Sequence, residues 1–196
     1  MNKTFGWLKT YWLELAQGAA WLLSLFSTFV YPPPANPLDL TLGTTNTGFN
    51  AARFVVTLLL AVVFFATRRR VKKASAWLAF SALALIATGA LFFDYQARLE
   101  RWTATYNGGL VVRGDELTPH ARQYASTEGI ELNRSGHSHL ILAYAGDAAK
   151  VWANPEQLSE RWRELVLRYT GIVCLLTLCV VAVLQTTRQS TAHPVA

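Results

Sequence analysis

The chain has 196 residues, a net charge of +6 and 52% hydrophobic residues. Its charges are gathered into blocks, and the apolar runs between them leave little room for a large aqueous domain. The high isoelectric point, about 9.6, does not point to nucleic acid. Five basic residues, Arg68, Arg69, Arg70, Lys72 and Lys73, form one cluster between two apolar runs, the usual mark of a cytoplasmic loop, and no aromatic-interleaved basic surface accompanies them.

Four apolar runs approach the ~20 residues that cross a bilayer as a helix. They lie at about 13–31, about 49–67, 74–93 and 169–187. The first follows an interfacial lead-in that carries Lys3 and Lys9 among Phe5, Trp7 and Tyr11. Glu14 and Gln17 interrupt what would be the apolar region of a signal peptide, and 31–35 lacks small residues at the cleavage positions, so the run reads as an uncleaved span. Pro32, Pro33 and Pro34 then stop the helix, because proline has no amide donor and restrains its predecessor. The loop 32–48 carries a single charge, Asp39, and is expected outside. The second run reaches membrane length only by including Arg53, which is expected to snorkel to the headgroups.

The third run, 74–93, has small residues at Ser81, Ala84, Ala87 and Gly89 that permit close helix approach. No proline or glycine intervenes before Asn107, so its helix is expected to continue through Tyr106, with Asn107, Gly108 and Gly109 as a left-handed cap. Tyr95, Leu99, Trp102 and Tyr106 then make one apolar stripe. The lead-in to the fourth run shows the same steps in Leu158, Trp162, Leu165 and Tyr169. Asn154, Pro155 and Glu156 start that helix with a capping side chain, an N-terminal proline and an acid at the positive end of the dipole. Two stripes on helices leaving the bilayer together predict an antiparallel stalk.

Between the stalk helices a small α+β cap is expected. Residues 110–112 are a strand candidate, Thr118 and Pro119 start a helix ending near Gly129, and 130–132 is a second strand candidate. The run 139–144, HLILAY, reads as the strongest strand, and a short helical piece reaches Trp152. The fold class is therefore mainly α, a four-helix transmembrane protein with a small α+β cap between the third and fourth spans. Its parts are 1–93, the cap and stalk 94–168, the last span 169–187 and a disordered tail 188–196. Both termini are expected in the cytoplasm of a bacterial cell, and 94–168 outside the inner membrane.

One constellation carries potential chemistry. On a strand His137 and His139 would share a face; with His120 and the carboxylates Asp115 and Glu116 they are the metal candidates. The spacing matches no zinc signature, and no P-loop, dinucleotide fingerprint or GxSxG is present. Cys174 and Cys179, five apart on one helix, are too far apart for a disulfide with each other. No cofactor is expected.

The residues Gly146, Asp147, Val151, Trp152, Pro155, Leu158, Arg161, Tyr169, Val183, Leu184 and Gln185 resemble the membrane-anchoring segment of bacterial conflict-system (immunity-type) proteins. Val112, Gly114, Glu116, Leu117, Thr118, Pro119 and Tyr124 resemble its upstream part, so the likeness covers about 100–187. It implies a membrane component working with a separately encoded partner and carries over no catalytic residue. Three functions follow: a non-enzymatic anchor, assembly or sensing subunit in contact with lipid and a protein partner or a second copy; an oligomeric pore-forming effector; and a metal-dependent hydrolase or sensor using the cap histidines.

Overall fold

The computed structural model describes residues 30–34, 36–37, 50, 54–55, 58 and 74–190. Among these the chain is mainly helical with one small two-stranded sheet. The apolar runs at 13–31 and 49–67 and the basic cluster Arg68, Arg69, Arg70, Lys72 and Lys73 lie essentially outside the described residues, as does the end of the tail.

Helix α1, Ala74–Trp102, runs 29 residues; at 1.5 Å per residue it is about 43 Å long. Its composition is dominated by Ala and Leu, the strongest helix formers. It stops at Trp102, earlier than the missing breakers suggest. The next residues form strand β1, Thr103–Tyr106, which pairs antiparallel with β2, Gly109–Val112, in the register Thr103 with Val112 and Tyr106 with Gly109. Asn107 and Gly108 are therefore a hairpin turn and not a helix cap. Both have positive φ, 47° and 75°, as the two-residue turn that matches strand twist requires.

Helix α2, Pro119–Thr127, starts as expected: Pro119 occupies its first turn and the Thr118 side chain accepts from the Ala121 amide at 3.2 Å. The segment 130–132 is not a strand. Nor is 139–144: residues 139–143 belong to helix α3, Arg134–Ala143, and Tyr144 is its C-cap; the Asn133 side chain caps the start by accepting from the Gly136 amide at 2.9 Å. Burial decides the form. Leu140 and Ile141 are both fully buried while Leu142 is exposed, a helical pattern that alternation would not give. The short α4, Ala148–Val151, is capped by Asp147 and leads to Trp152.

Helix α5, Pro155–Ser190, spans 36 residues, and the Asn154 side chain accepts from the Gln157 amide at 3.1 Å. It lies antiparallel against α1. Contacts climb one helix as they descend the other: Ser81 Oγ lies 3.2 Å from Cys179 Sγ, a Cβ on Gly171 would stand 3.0 Å from Leu91, and Arg168 reaches Asp94 at 2.7 Å. Ser81 and Ala84 are on the shared face, whereas Ala82, Ala87 and Ala90 point away from it. Cys174 and Cys179 are free thiols.

Two helices are long and apolar enough to cross a membrane, within Ala79–Trp102 and Pro155–Val183. Two cores hold the described part together. The cap core gathers Ala104, Val112, Leu117, Ala121, Leu140, Ile141, Val151, Trp152 and Leu158. The stalk core gathers Val30, Tyr95, Leu99, Leu165, Tyr169 and Ile172.

Candidate functional site: the junction of stalk and cap

The two stripes meet in their lower halves and divide above. Tyr95, Leu99, Leu165 and Tyr169 share the stalk core, with the Tyr95 and Tyr169 rings 6.1 Å apart. Trp102 packs at the edge of that core. Tyr106 is not on the helix; it sits in β1 and packs against the cap core, where Leu158 and Trp162 also belong. The second stripe thus touches the stalk partner at its lower end and the cap at its upper end.

A proline strap crosses this pair. The Tyr95 hydroxyl donates to the Tyr31 carbonyl at 2.8 Å, and Trp162 Nε1 donates to the Pro34 carbonyl at 3.0 Å. Both stripe aromatics use their polar atoms on carbonyls of the strap. Val30 and Pro33 are buried beneath the crossing. Beside the strap lies an open groove of about 720 Å³, lined by Pro32, Gln96, Glu100, Thr105, Gly108 and Leu110 among others.

Over the same stretch the stalk carries an ion-pair ladder. Arg98 bonds Asp94 at 3.0 Å and Glu164 at 3.1 Å, and Arg168 bonds Asp94 at 2.7 Å and Glu164 at 2.9 Å. Partly exposed pairs of this kind contribute ~0–1 kcal/mol each, so the network sets register more than stability. Arg98 and Arg161 also lie over the Trp102 ring, at 5.0 and 5.6 Å, a cation–π arrangement at the end of the helix.

Arg113, one residue past β2, is the hub between stalk and cap. Its amide donates to the Trp102 carbonyl at 2.8 Å and its Nε to the Arg101 carbonyl at 2.6 Å. Its own carbonyl accepts from Arg161 Nη1 at 2.7 Å. Its Nη1 lies 2.9 Å from His137 Nδ1 on α3. Arg161, only 13% exposed along its side chain, also pairs with Asp115, which accepts from Gln157 Nε2 at 2.7 Å. The Arg161 hydrogen bond holds the Asp115 carboxyl below the usual range, against the raising effect of partial burial. Gly114 fits closely here: a Cβ would come within 3.0 Å of Trp152.

The histidines are not brought together. His137 is half-buried, with its ring 5.2 Å from the Trp152 ring. Burial, and then the Arg113 charge, hold its imidazole below the ordinary value. His139 is exposed, and His120 Nδ1 lies 3.4 Å from the Tyr144 hydroxyl. Because 137–139 is helical, the two imidazoles diverge by about 200° and do not share a face. Among the described residues no group of three His, Cys, Asp or Glu side chains is placed to hold a metal. Glu116 is exposed and contributes its carbonyl to the Ala153 amide. Trp152 Nε1 is buried without a hydrogen-bond partner, a cost of about 1–3 kcal/mol.

Sequence reasoning did not single out Arg113; it named Arg161 only within the resemblance and the proline run only as a helix stop. A signal for the strap was present: Tyr and Trp buried along an apolar stripe need acceptors for their polar atoms. In the comparisons with known proteins no family model, curated protein or solved structure matches the chain.

Proposed function

We propose that this chain is a non-enzymatic integral membrane protein that carries a small cap above the bilayer on a braced helix pair, as an anchor, assembly or sensing subunit. One observation carries this. Phe80, Leu83, Leu85, Ile86 and Phe93 on α1 are exposed, several at two-thirds or more, over a stretch with no charge. The core helix of a soluble protein would cover such a face. Apolar surface left in water costs roughly 25 cal/mol per Å², and lipid removes that cost.

The layout supports the rest. The uncharged stretch of α1 holds 20 residues before Asp94, and that of α5 begins just after Arg168. Both are bilayer length. The runs at 13–31 and 49–67 complete a four-span reading with both termini inside and the cap outside, the basic cluster at 68–73 lying on the cytoplasmic side. The resemblance to the membrane segment of bacterial conflict-system proteins supports a separately encoded protein partner in defence.

The test is cap topology. Cys174 and Cys179 are replaced by alanine, cysteine is placed at Ser135, which is exposed, and intact cells are treated with a membrane-impermeant thiol reagent. Labelling before lysis is expected. Labelling only after lysis would put the cap in the cytosol and undo the four-span count; release of the protein by alkaline carbonate would overturn the membrane reading itself.

A further inference from the structure

His137 is held between two cap features, the Arg113 guanidinium at 2.9 Å and the Trp152 ring at 5.2 Å. Arginine is always a donor, so Nδ1 must be the acceptor and the neutral ring carries its proton on Nε2. A second proton has one place to go, Nδ1, where the arginine already donates. Taking it up breaks that bond and sets two cations at contact.

Among the described residues, the acidic groups nearby are engaged with other partners. Arg113 stands at the end of β2, and behind it Arg161 of α5 is engaged by Asp115. Asp115 feels Arg161 first and Arg113 weakly. Lys150 of α4 is paired with Asp147 at 3.1 Å. On the segment leading into α3, Glu131 accepts from Asn133 Nδ2 at 3.1 Å. Among described groups β1 brings only the Tyr106 phenol. His139, on the same helix, points elsewhere and is exposed.

The geometry points to a proton-operated latch at the junction, in which protonation of His137 expels Arg113 and frees α3 from the end of β2; it takes from the reading above only that the cap stands in water. Arg113 keeps its hold on the Arg101 and Trp102 carbonyls, so the stalk end stays closed while the α3 side opens. The His137 ring is kept neutral by burial and by Arg113, so the native state prefers the unprotonated ring. The sign follows. The latch is fully closed above the ordinary histidine value of ~6.5 and loosens as pH falls below it. The Asp115 link to Arg161 survives this range, since that carboxyl is held lower still.

The experiment is pH-dependent amide hydrogen exchange on the full chain in detergent micelles, corrected for intrinsic rates. Protection of 134–143 is expected to fall below pH ~6.5 by about tenfold per pH unit, the slope for uptake of one proton, while 95–102 stays protected. His137→Gln, which keeps an acceptor but cannot ionise, is expected to flatten the profile. Arg113→Gln is expected to shrink it, and His139→Gln to leave it as in the wild type. A flat wild-type profile, or the same fall in His137→Gln, overturns the latch. Should His137→Gln not fold, imidazole NMR of the wild type decides: titration below ~6.5 supports the latch, and titration at or above ~6.5 overturns it. The readout is in solubilised protein, so it is independent of which side of the membrane the cap occupies.

Discussion

Arg168 on α5 reaches Asp94 on α1 at 2.7 Å, and the two residues stand where both helices change from charged to uncharged sequence. An ion pair across two helices at the same level as both composition boundaries sets a common height. In a cysteine-free background, cysteine at Gln96 is expected to react with an impermeant thiol reagent, and cysteine at Leu85 is expected to be silent. Equal reaction at both would remove the boundary from this level.

The strap gives a second prediction. Tyr95→Phe and Trp162→Phe each remove one donor to strap backbone, worth roughly 1 kcal/mol apiece. The single changes are expected to be tolerated. In the double change a spin label at Asn36 is expected to gain mobility; an unchanged spectrum would mean that burial of Val30 and Pro33 holds the strap unaided.

Gly136 and Gly108 separate crowding from strain. A Cβ at Gly136 would stand 1.8 Å from the Glu131 carbonyl oxygen, while at Gly108, φ 75°, it meets nothing within 4 Å. Gly136→Ala is expected to unfold the cap or cost more than about 3 kcal/mol, as a backbone clash should. Gly108→Ala is expected to cost only the left-handed strain, roughly 1–2 kcal/mol. Chemical unfolding of the two variants orders them.

Asp115 sets an acid limit. Its carboxyl is held low by Arg161, so the pair contributes stability above the unfolded carboxylate value of ~3.9 and loses it as pH falls through the lower folded value. The side chain is 64% exposed, so Asp115→Asn is expected to cost no more than about 1 kcal/mol at pH 7. The gap between variant and wild type is expected to narrow as pH falls below ~3.9 and to close in strong acid. A gap that persists in strong acid would assign it to Gln157 packing.

The long helices were legible because charge-free runs of bilayer length and a proline-led start with an asparagine cap are strong signals. The capped α2 was legible for the same reason. The run 139–144 was misread because four adjacent apolar residues suit a buried strand or a buried helix equally well, and only the Asn133 cap with the Leu140–Leu142 burial pattern separates them. Continuing α1 through Tyr106 took Asn107-Gly108 as a helix cap, although the pair's joint preference for positive φ equally favours a hairpin. That error placed Tyr106 on a helix stripe, whereas the strand reading around 139–144 set His137 and His139 on one face. Arg113 was invisible, since a lone arginine after a short strand has no local signature; its partners lie on elements far apart in sequence.

The Ser81, Leu91 and Asp94 contacts with Cys179, Gly171 and Arg168 occur in one unbroken phase. A helix has no slack to absorb a change in length. One residue inserted between Ala84 and Leu91 would rotate everything beyond it by about 100°. Asp94 would leave Arg168, Trp102 would swing out from beneath Arg161, and the hairpin would face a different quarter of the compass. The direction in which the cap looks is thus counted out, residue by residue, from inside the uncharged stretch.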